Sequence, residues 1–188
     1  AQKRMIGAEA FSEAEGGVTW SDYLCEVNQK GNTVWEWHAH SDLKIEDYPL
    51  DIMSTRKDFL NCNACHELTD GNLMLSFRKN SMVIVIDKKT KKVLKKWQND
   101  DWGQQHDCQR LKNGNVLIFA NGIHVPGGVF SSRVIEFDWD TGDEVWSFSG
   151  TPPWSMFSPN ISGAQRVQNG NTLICEGLNG RFLEITKT

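Results

Sequence analysis

The chain has 188 residues, 39% of them hydrophobic and 23% charged, with a net charge of −4, the make-up of a globular domain with room for a core rather than of a disordered chain. No apolar run approaches the ~20 residues of a membrane helix, so no membrane span is expected. The one basic tract, Lys88-Lys89-Thr90-Lys91-Lys92-Val93-Leu94-Lys95-Lys96, reads as a solvated turn and an outer strand, which argues against a nucleic-acid partner.

In chain order, residues 1–17 form an N-terminal arm, and 18–57 a partial blade and loop. Within that partial blade, 22–27 and 33–37 are the third and fourth strands of a sheet, joined by the turn Asn28-Gln29-Lys30-Gly31-Asn32. Segments 58–100 and 101–150 are full blades, and 151–188 is a second partial blade. What sets these limits is a phrase written three times: Asp70-Gly71-Asn72-Leu73, Asn113-Gly114-Asn115-Val116 and Asn169-Gly170-Asn171-Thr172. Asn-Gly and Asp-Gly between apolar runs are the strongest short hairpin signals, because glycine takes the positive φ of the turn without steric cost. The turn glycines lie 43 and 56 residues apart, a spacing that suits four-stranded propeller blades with one longer loop.

Aligned on that glycine, first strands fall at 65–68, 108–111 and 164–167, second strands at 72–77, 115–120 and 171–176, and third strands at 82–87, 133–138 and 181–185. Fourth strands fall at 93–97 and 144–148. Four of the eight tryptophans, Trp35, Trp37, Trp97 and Trp146, occupy outer-strand positions, where flat rings fill the space between blades. The fold expected is all-β: a β-propeller of four-stranded antiparallel blades, about three to four present, belonging to a larger propeller of about six. An open propeller exposes strand edges, so the ring is expected to be completed by more of the same propeller or by a partner chain.

The same register levels Asn63, His106 and Ser162, a polar position before each first strand. Those positions converge on one end of the central channel, so Asn61, Asn63, Arg78, Asp107 and Ser162 are expected to bind a small-molecule ligand there. Asp107 has two open readings: it orients the His106 imidazole, or it satisfies backbone N–H groups where the strand begins. Five cysteines is an odd count, and Cys62-Asn63-Ala64-Cys65-His66 has the form of a c-type haem attachment site. Haem c on Cys62, Cys65 and His66, with Met74 or Met82 as second ligand, is the one cofactor the sequence suggests. Against it, Cys65 is level with Cys108 and Ala164, and His66 with Gln109 and Gln165, which are ordinary strand positions. His38-Ala39-His40 has no second Cys-x-x-Cys to complete a zinc site, so no metal is expected.

Val34-Trp35-Glu36-Trp37-His38, Gln104-Gln105-His106-Asp107, Ser132-Arg133-Val134-Ile135-Glu136 and the run from Ser162 through Asn169-Gly170-Asn171 to Gly177 resemble the arylsulfotransferase family of β-propellers. The resemblance covers nearly all of the chain from about Gly17. It implies histidines and an arginine near the axis that handle a sulfuryl group, one histidine being transiently sulfated. His106 matches a family histidine and Arg133 the arginine, so these two are the expected catalytic pair of an aryl sulfate sulfotransferase. Neutral imidazole is a nucleophile near pH 7, and a cationic donor offsets charge on the transferring group. The chain departs from the family at Asn61-Cys62-Asn63, where a His-x-Asn is usual, and it has no histidine after His124. Two alternatives stand beside transfer: a haem c electron-transfer protein, and a non-catalytic structural propeller completed by a partner chain. The chain opens at Ala1-Gln2-Lys3 as a trimmed mature product would, and a periplasmic or secreted location is expected.

Overall fold

The computed structural model describes residues 19–125 and 127–186; the arm expected over 1–17 lies outside them. Two short strands, β1 (Trp20–Ser21) and β4 (Asp58–Phe59), pair in parallel. β2 (Tyr23–Val27) and β3 (Thr33–His38) form a two-stranded hairpin, followed by one helical turn, α1 (Ala39–Asp42). Two four-stranded meanders come next. The first is β5 (Cys62–Glu67), β6 (Leu73–Phe77), β7 (Met82–Ile86) and β8 (Val93–Gln98); the second is β9 (His106–Arg110), β10 (Val116–Ala120), β11 (Arg133–Phe137) and β12 (Glu144–Ser149). A three-stranded sheet, β13 (Gly163–Arg166), β14 (Thr172–Glu176) and β15 (Arg181–Ile185), ends the described chain. All pairings within these sheets are antiparallel between neighbours in sequence, and the sheets stack face to face as blades of an all-β propeller. First strands begin earlier than the repeat alone predicts, so Cys62 and His106 stand on strands rather than before them.

Middle blades bury both faces, which is why β7 and β10 are continuous apolar runs, and β6 one broken only by the buried Ser76, rather than alternations. Leu73, Leu75, Phe77, Ile84 and Ile86 meet Trp37 and Leu43 of the preceding hairpin and helix region. The opposite face, Met74, Val83 and Val85, meets Val116, Ile118, Ala120, Ile135 and Phe137 of the next blade. Leu117, Phe119 and Val134 then meet Ala164 and Ile174 of the last sheet. The outer tryptophans bridge blades as expected: Trp35 Nε1 donates to the Lys88 carbonyl at 2.8 Å, Trp97 packs on Phe137 and Trp139, and Trp146 lies under the Arg166 guanidinium. The far face of the last sheet is uncovered among the described residues. Phe182 is 70% exposed there, whereas Val83 and Val134, its counterparts in the repeat, are fully buried.

In such a meander the hairpins joining first to second and third to fourth strands lie at one end, and the remaining connections, within and between blades, at the other. The thrice-written phrase occupies the hairpin end, and the structure gives it a second role beyond turning the chain. Asn113 and Asn115 both donate side-chain amides to Glu136 Oε1, at 2.7 and 2.8 Å. Asn169 and Asn171 do the same to Glu184, at 3.2 and 2.8 Å. Where the third strand carries Val85 in place of that glutamate, the turn opens with Asp70, and Asn72 donates to it instead.

Candidate functional site

The loop end gathers the chemistry. His106 starts β9, and Asn121 follows the last residue of β10, across the ladder from it. Asn121 Nδ2 donates to two backbone carbonyls, Ser158 at 2.7 Å and Ile161 at 2.9 Å, which fixes the amide so that Oδ1 faces His106 Nδ1 at 2.8 Å. An amide oxygen only accepts, so the Nδ1 atom carries the proton and Nε2 is left as the lone pair of a neutral ring. Burial lowers the His106 pKa from its ordinary value, and the nearby Arg78 lowers it further, against the opposing pull of Asn121, the Gln104 carbonyl and Asp107. The ring is therefore neutral at pH 7 and poised to act through Nε2.

Arg78 follows β6 at the position equivalent to Asn121, seven residues beyond the turn glycine. It spans 82 residues of sequence to donate to Asn160 Oδ1 at 2.7 Å, while its Nε is buried without a partner. Burial lowers its pKa, with Asp58 and Asp51 opposing; a guanidinium stays charged through such a shift. A cation with an unused donor beside a neutral imidazole has the chemistry to hydrogen-bond a small anion. Lys79, only 4% exposed, braces this region from below, donating to Thr55 and to the Asp58 carboxylate at 2.7 Å.

Other expected residues are placed differently. Arg133 is not brought to His106: its guanidinium pairs with Glu144 of the outermost strand at 3.1 Å, because the side chain runs along the sheet instead of toward the axis. Arg78 is the cation whose field reaches the imidazole. Asp107 does not orient the ring either; its carboxylate accepts the Ala164 N–H at 3.0 Å, an approach possible because Gly163 has no Cβ to strike Asp107 Oδ2. Asn63 donates to the Gln105 carbonyl at 2.7 Å and leaves its own Oδ1 buried and unpartnered. Asn61 donates to Asp58. Ser162 Oγ accepts the Gly177 N–H, tying down the loop that carries Asn160.

The haem motif is not assembled. Cys62 packs toward the preceding hairpin, its thiol pushed up to about 12 by burial and the neighbouring Asp22. Cys65 is exposed, and His66 lines a cavity of about 870 Å³ at the hairpin end together with Arg110, Trp139 and Gln165. A bulge between Cys62 and Ala64 leaves both cysteines on one face of the sheet, opposite Phe77 and Leu75, whereas His66, opposite Met74, points to the other face, since successive strand residues alternate. Met74 and Met82 are fully buried in two different interblade cores. No cluster of three metal-ligating side chains occurs among the described residues.

Residues missed by sequence reasoning are Asn121, Lys79 and Asp51. Asn121 had a usable signal: the repeat register makes it the counterpart of Arg78. Asp51 lies in an irregular loop where no register applies, and Lys79, one residue beyond Arg78, belongs to no motif.

The model of the Arylsulfotransferase (ASST) family matches residues 6–98. That stretch includes Asp51, Asn61, Arg78 and Lys79 and stops short of His106. Among solved structures, a protein of unknown function from Bacteroides caccae is similar over 90% of this chain and 55% of its own, with 16% identity and a TM-score of 0.52. A catalytically inactive virginiamycin B lyase from Staphylococcus aureus with quinupristin aligns over 86% of this chain and 44% of its own, with 12% identity and a TM-score of 0.49. This chain thus spans about half the length of the solved structures it resembles. No curated protein matches it.

Proposed function

We propose that the loop end of this arylsulfotransferase-like β-propeller binds the sulfate group of a small aryl sulfate and transfers the sulfuryl group through His106. The observation that carries this reading is the tautomer that Asn121 imposes on His106. With Nδ1–H held by the amide, Nε2 attacks sulfur; the N–S bond forms as the S–O(aryl) bond breaks and the phenolate leaves with the electron pair. The Nδ1–H bond to Asn121 steadies the positive charge the ring acquires. Arg78 offers the buried, unused Nε–H and the rest of its fork to the sulfate oxygens, whose charge it offsets. A phenol then attacks sulfur, the N–S pair returns to Nε2, and the phenol proton passes ultimately to the first phenolate. Backbone strain supports the location: Leu60, Asn61, Gln104, Asp107, Ile161 and Ser162 all hold positive φ without being glycine, and such strain concentrates at functional sites. The uncovered face of the last sheet supports a further blade, from the same polypeptide or a partner chain, as the cover of Phe182.

The test is turnover of 4-nitrophenyl sulfate with phenol as acceptor. His106→Ala should lower kcat by about 10³-fold or more, with an unchanged melting temperature, and wild type quenched during turnover should carry one sulfuryl group on the His106 peptide. Arg78→Ala should cost about 10²-fold in kcat/KM. Turnover unaffected by His106→Ala, or no turnover by the wild type, removes the transfer; sulfate protection of Arg78 without turnover would leave a binding protein.

A further inference from the structure

The junction between the two full blades and the junction that follows it differ by one missing acid. At the later junction Arg166 of β13 reaches Glu136 of β11 at 2.8 Å, with its guanidinium over Trp146. Glu136 also accepts the amides of Asn113 and Asn115. The earlier junction has the same arginine. Arg110 on β9 stands opposite Val116 as Arg166 on β13 stands opposite Thr172, and both partners lie two residues past a turn glycine. The acid is not repeated. Val85 of β7, opposite Met74, takes the place that Glu136, opposite Leu117, holds on β11. Arg110 lies instead on Trp139 of its own blade, with Cζ 3.6 Å from the ring centroid.

Arg133, Arg166 and Arg181 are each paired with a carboxylate. Among the described residues Arg110 has neither an ion pair nor a hydrogen bond; its one close contact is the indole. The two carboxylates whose field reaches it are already engaged. Asp138 accepts the N–H groups of Asp140 and Thr141, and Asp140 pairs with Lys95 at 2.8 Å. Burial lowers the Arg110 pKa against the pull of Asp140 and Asp138, and the guanidinium stays charged. Stacking occupies one face of the planar fork and leaves its N–H edge for a partner in the plane. That edge borders the cavity of about 870 Å³ at the hairpin end, which Lys112, Gln109, Gln165 and Leu68 also line. The acids of the cavity wall are engaged as well: Glu67 lies 3.8 Å from Lys88, and Asp70 accepts both the N–H and the side-chain amide of Asn72. Lys112, like Arg110, has no ion pair among the described residues.

We propose that this cavity is a second ligand site, which takes a small organic dicarboxylate. One carboxylate does for Arg110 what Glu136 does for Arg166, and the other meets Lys112. The carboxylate class follows from the repeat, because that is the group the same arginine holds at the next junction. A planar fork also matches a planar carboxylate better than it matches a tetrahedral anion. Two cations without ion-pair partners, two residues apart, ask for two negative charges, and the volume leaves room for a short carbon chain between them. Gln109 and Gln165 offer amides to the rest of the molecule. The site is at the hairpin end, away from His106, and stands with or without the transfer proposed above.

Succinate titrated into arginine-¹⁵N-labelled protein, at constant ionic strength against chloride, tests the site. The Arg110 Nε–H resonance should move saturably and that of Arg78 should stay. Arg110→Gln should weaken succinate binding about tenfold or more, the value of a hydrogen bond to a charged group. Lys112→Gln should weaken it about threefold, as a more exposed charge would. Neither variant should change turnover of 4-nitrophenyl sulfate, so failure of this site and failure of the transfer are read separately. Val85→Glu combined with Asp70→Asn rebuilds the Asn113, Asn115 and Glu136 arrangement at the earlier junction. It should supply Arg110 with an internal carboxylate and abolish succinate binding. That double variant is read only with a cooperative melting curve; Arg110→Gln, at an exposed position, is the independent arm. No saturable shift at Arg110, succinate binding indifferent to Arg110→Gln, or binding that survives in the folded double variant overturns the proposal. Sulfate bound as tightly as succinate overturns the carboxylate assignment.

Discussion

The two ends of this propeller solve the same problem, reversing a strand, with different residues. At the hairpin end positive φ falls on glycine: Gly31, Gly71, Gly114, Gly142 and Gly170. At the loop end Gly103, Gly122, Gly127 and Gly180 share it with Leu60, Asn61, Ser81, Gln104, Asp107, His124, Ile161 and Ser162, while Lys91 is alone among non-glycine residues at the hairpin end. Each non-glycine residue in that region costs about 1 kcal/mol or more. Unpartnered buried polar atoms divide in much the same way: Asp22 Oδ2, Asn63 Oδ1, Arg78 Nε, Asn80 Oδ1 and Gln105 Oε1 belong to the loop end, against Arg166 Nε at the hairpin end. One end is largely relaxed and satisfied; the other carries more strain and more unused hydrogen-bonding capacity. A propeller can carry the second because the stacked blade cores and the first end hold the ring together.

The largest effect that sharpens this contrast is Glu136→Ala. Glu136 is 2% exposed, accepts from Asn113 and Asn115, and pairs with Arg166 at 2.8 Å. Burial raises its pKa, but Asn115, Asn113 and Arg166 together bring it below its ordinary value. Its removal strands a buried arginine and two amides, so about 3 kcal/mol of stability should go, with 4-nitrophenyl sulfate turnover per folded molecule unchanged. A folded carboxylate with a lowered pKa stabilises above the unfolded value and loses that contribution as pH falls through its folded pKa. Urea midpoints of wild type and variant should therefore converge below about pH 4. A variant that lost turnover without losing stability would show that the two ends are not separable.

This division also decides what the sequence could disclose. The hairpin end is written in a repeat, and the repeat carries fold information: blade number, strand order, the tryptophans between blades and the level of His106 all follow from aligning three glycines. A site is made where the copies stop agreeing, and a register can flag those positions without saying where their side chains go. Asn121 and Arg78 share one register position yet reach His106 and Asn160 respectively. Arg133 satisfied a motif but found Glu144 at hand, and no local pattern encodes a contact 11 residues away on the outermost strand. Asp51 and Lys79 meet partners across loops that have no period. The Cys62–His66 string illustrates the converse: a motif complete in sequence is dispersed once a strand alternates its side chains.

At the loop end the expected effect is smaller and of opposite sign. Asp22 Oδ1 accepts the Cys62 N–H at 2.8 Å, while Oδ2 is buried without a partner. Burial, with a lesser push from Asp58, raises its pKa to about 6 against the pull of the Cys62 and Asn61 N–H groups and Lys79. A carboxyl whose folded pKa exceeds its unfolded one binds more protons in the native state. Stability accordingly falls as pH rises from about 4 to 6 and stays lower above that. Asp22→Asn keeps the acceptor for Cys62 and removes the charge. It should stabilise by about 2 kcal/mol at pH 7.5 and by almost nothing at pH 4. An equal gain at both pH values would trace the effect to packing rather than to a charge held out of water.

Lys91 gives the smallest effect and the cleanest control, because the repeat supplies its own relaxed version. The turn Asp87-Lys88-Lys89-Thr90-Lys91 is the counterpart of Asp138-Trp139-Asp140-Thr141-Gly142. In each, the aspartate accepts the threonine N–H, at 2.6 and 2.8 Å, and the fifth residue has positive φ, 62° at Lys91 and 80° at Gly142. Glycine relieves about 1 kcal/mol of steric strain but gives back part of it as unfolded-state entropy. The net gain for Lys91→Gly should be about 0.5 kcal/mol, or a rise of 1–2 °C in melting temperature, on the order expected for a domain of this size. The converse change, Gly142→Ala, meets both positive φ and a Cβ 3.0 Å from Trp97, and should lower the melting temperature by more than the lysine replacement raises it. If Lys91→Gly instead destabilised the protein, positive φ at a non-glycine residue would carry no measurable strain in this fold, and the loop end would lose its claim to be the strained end.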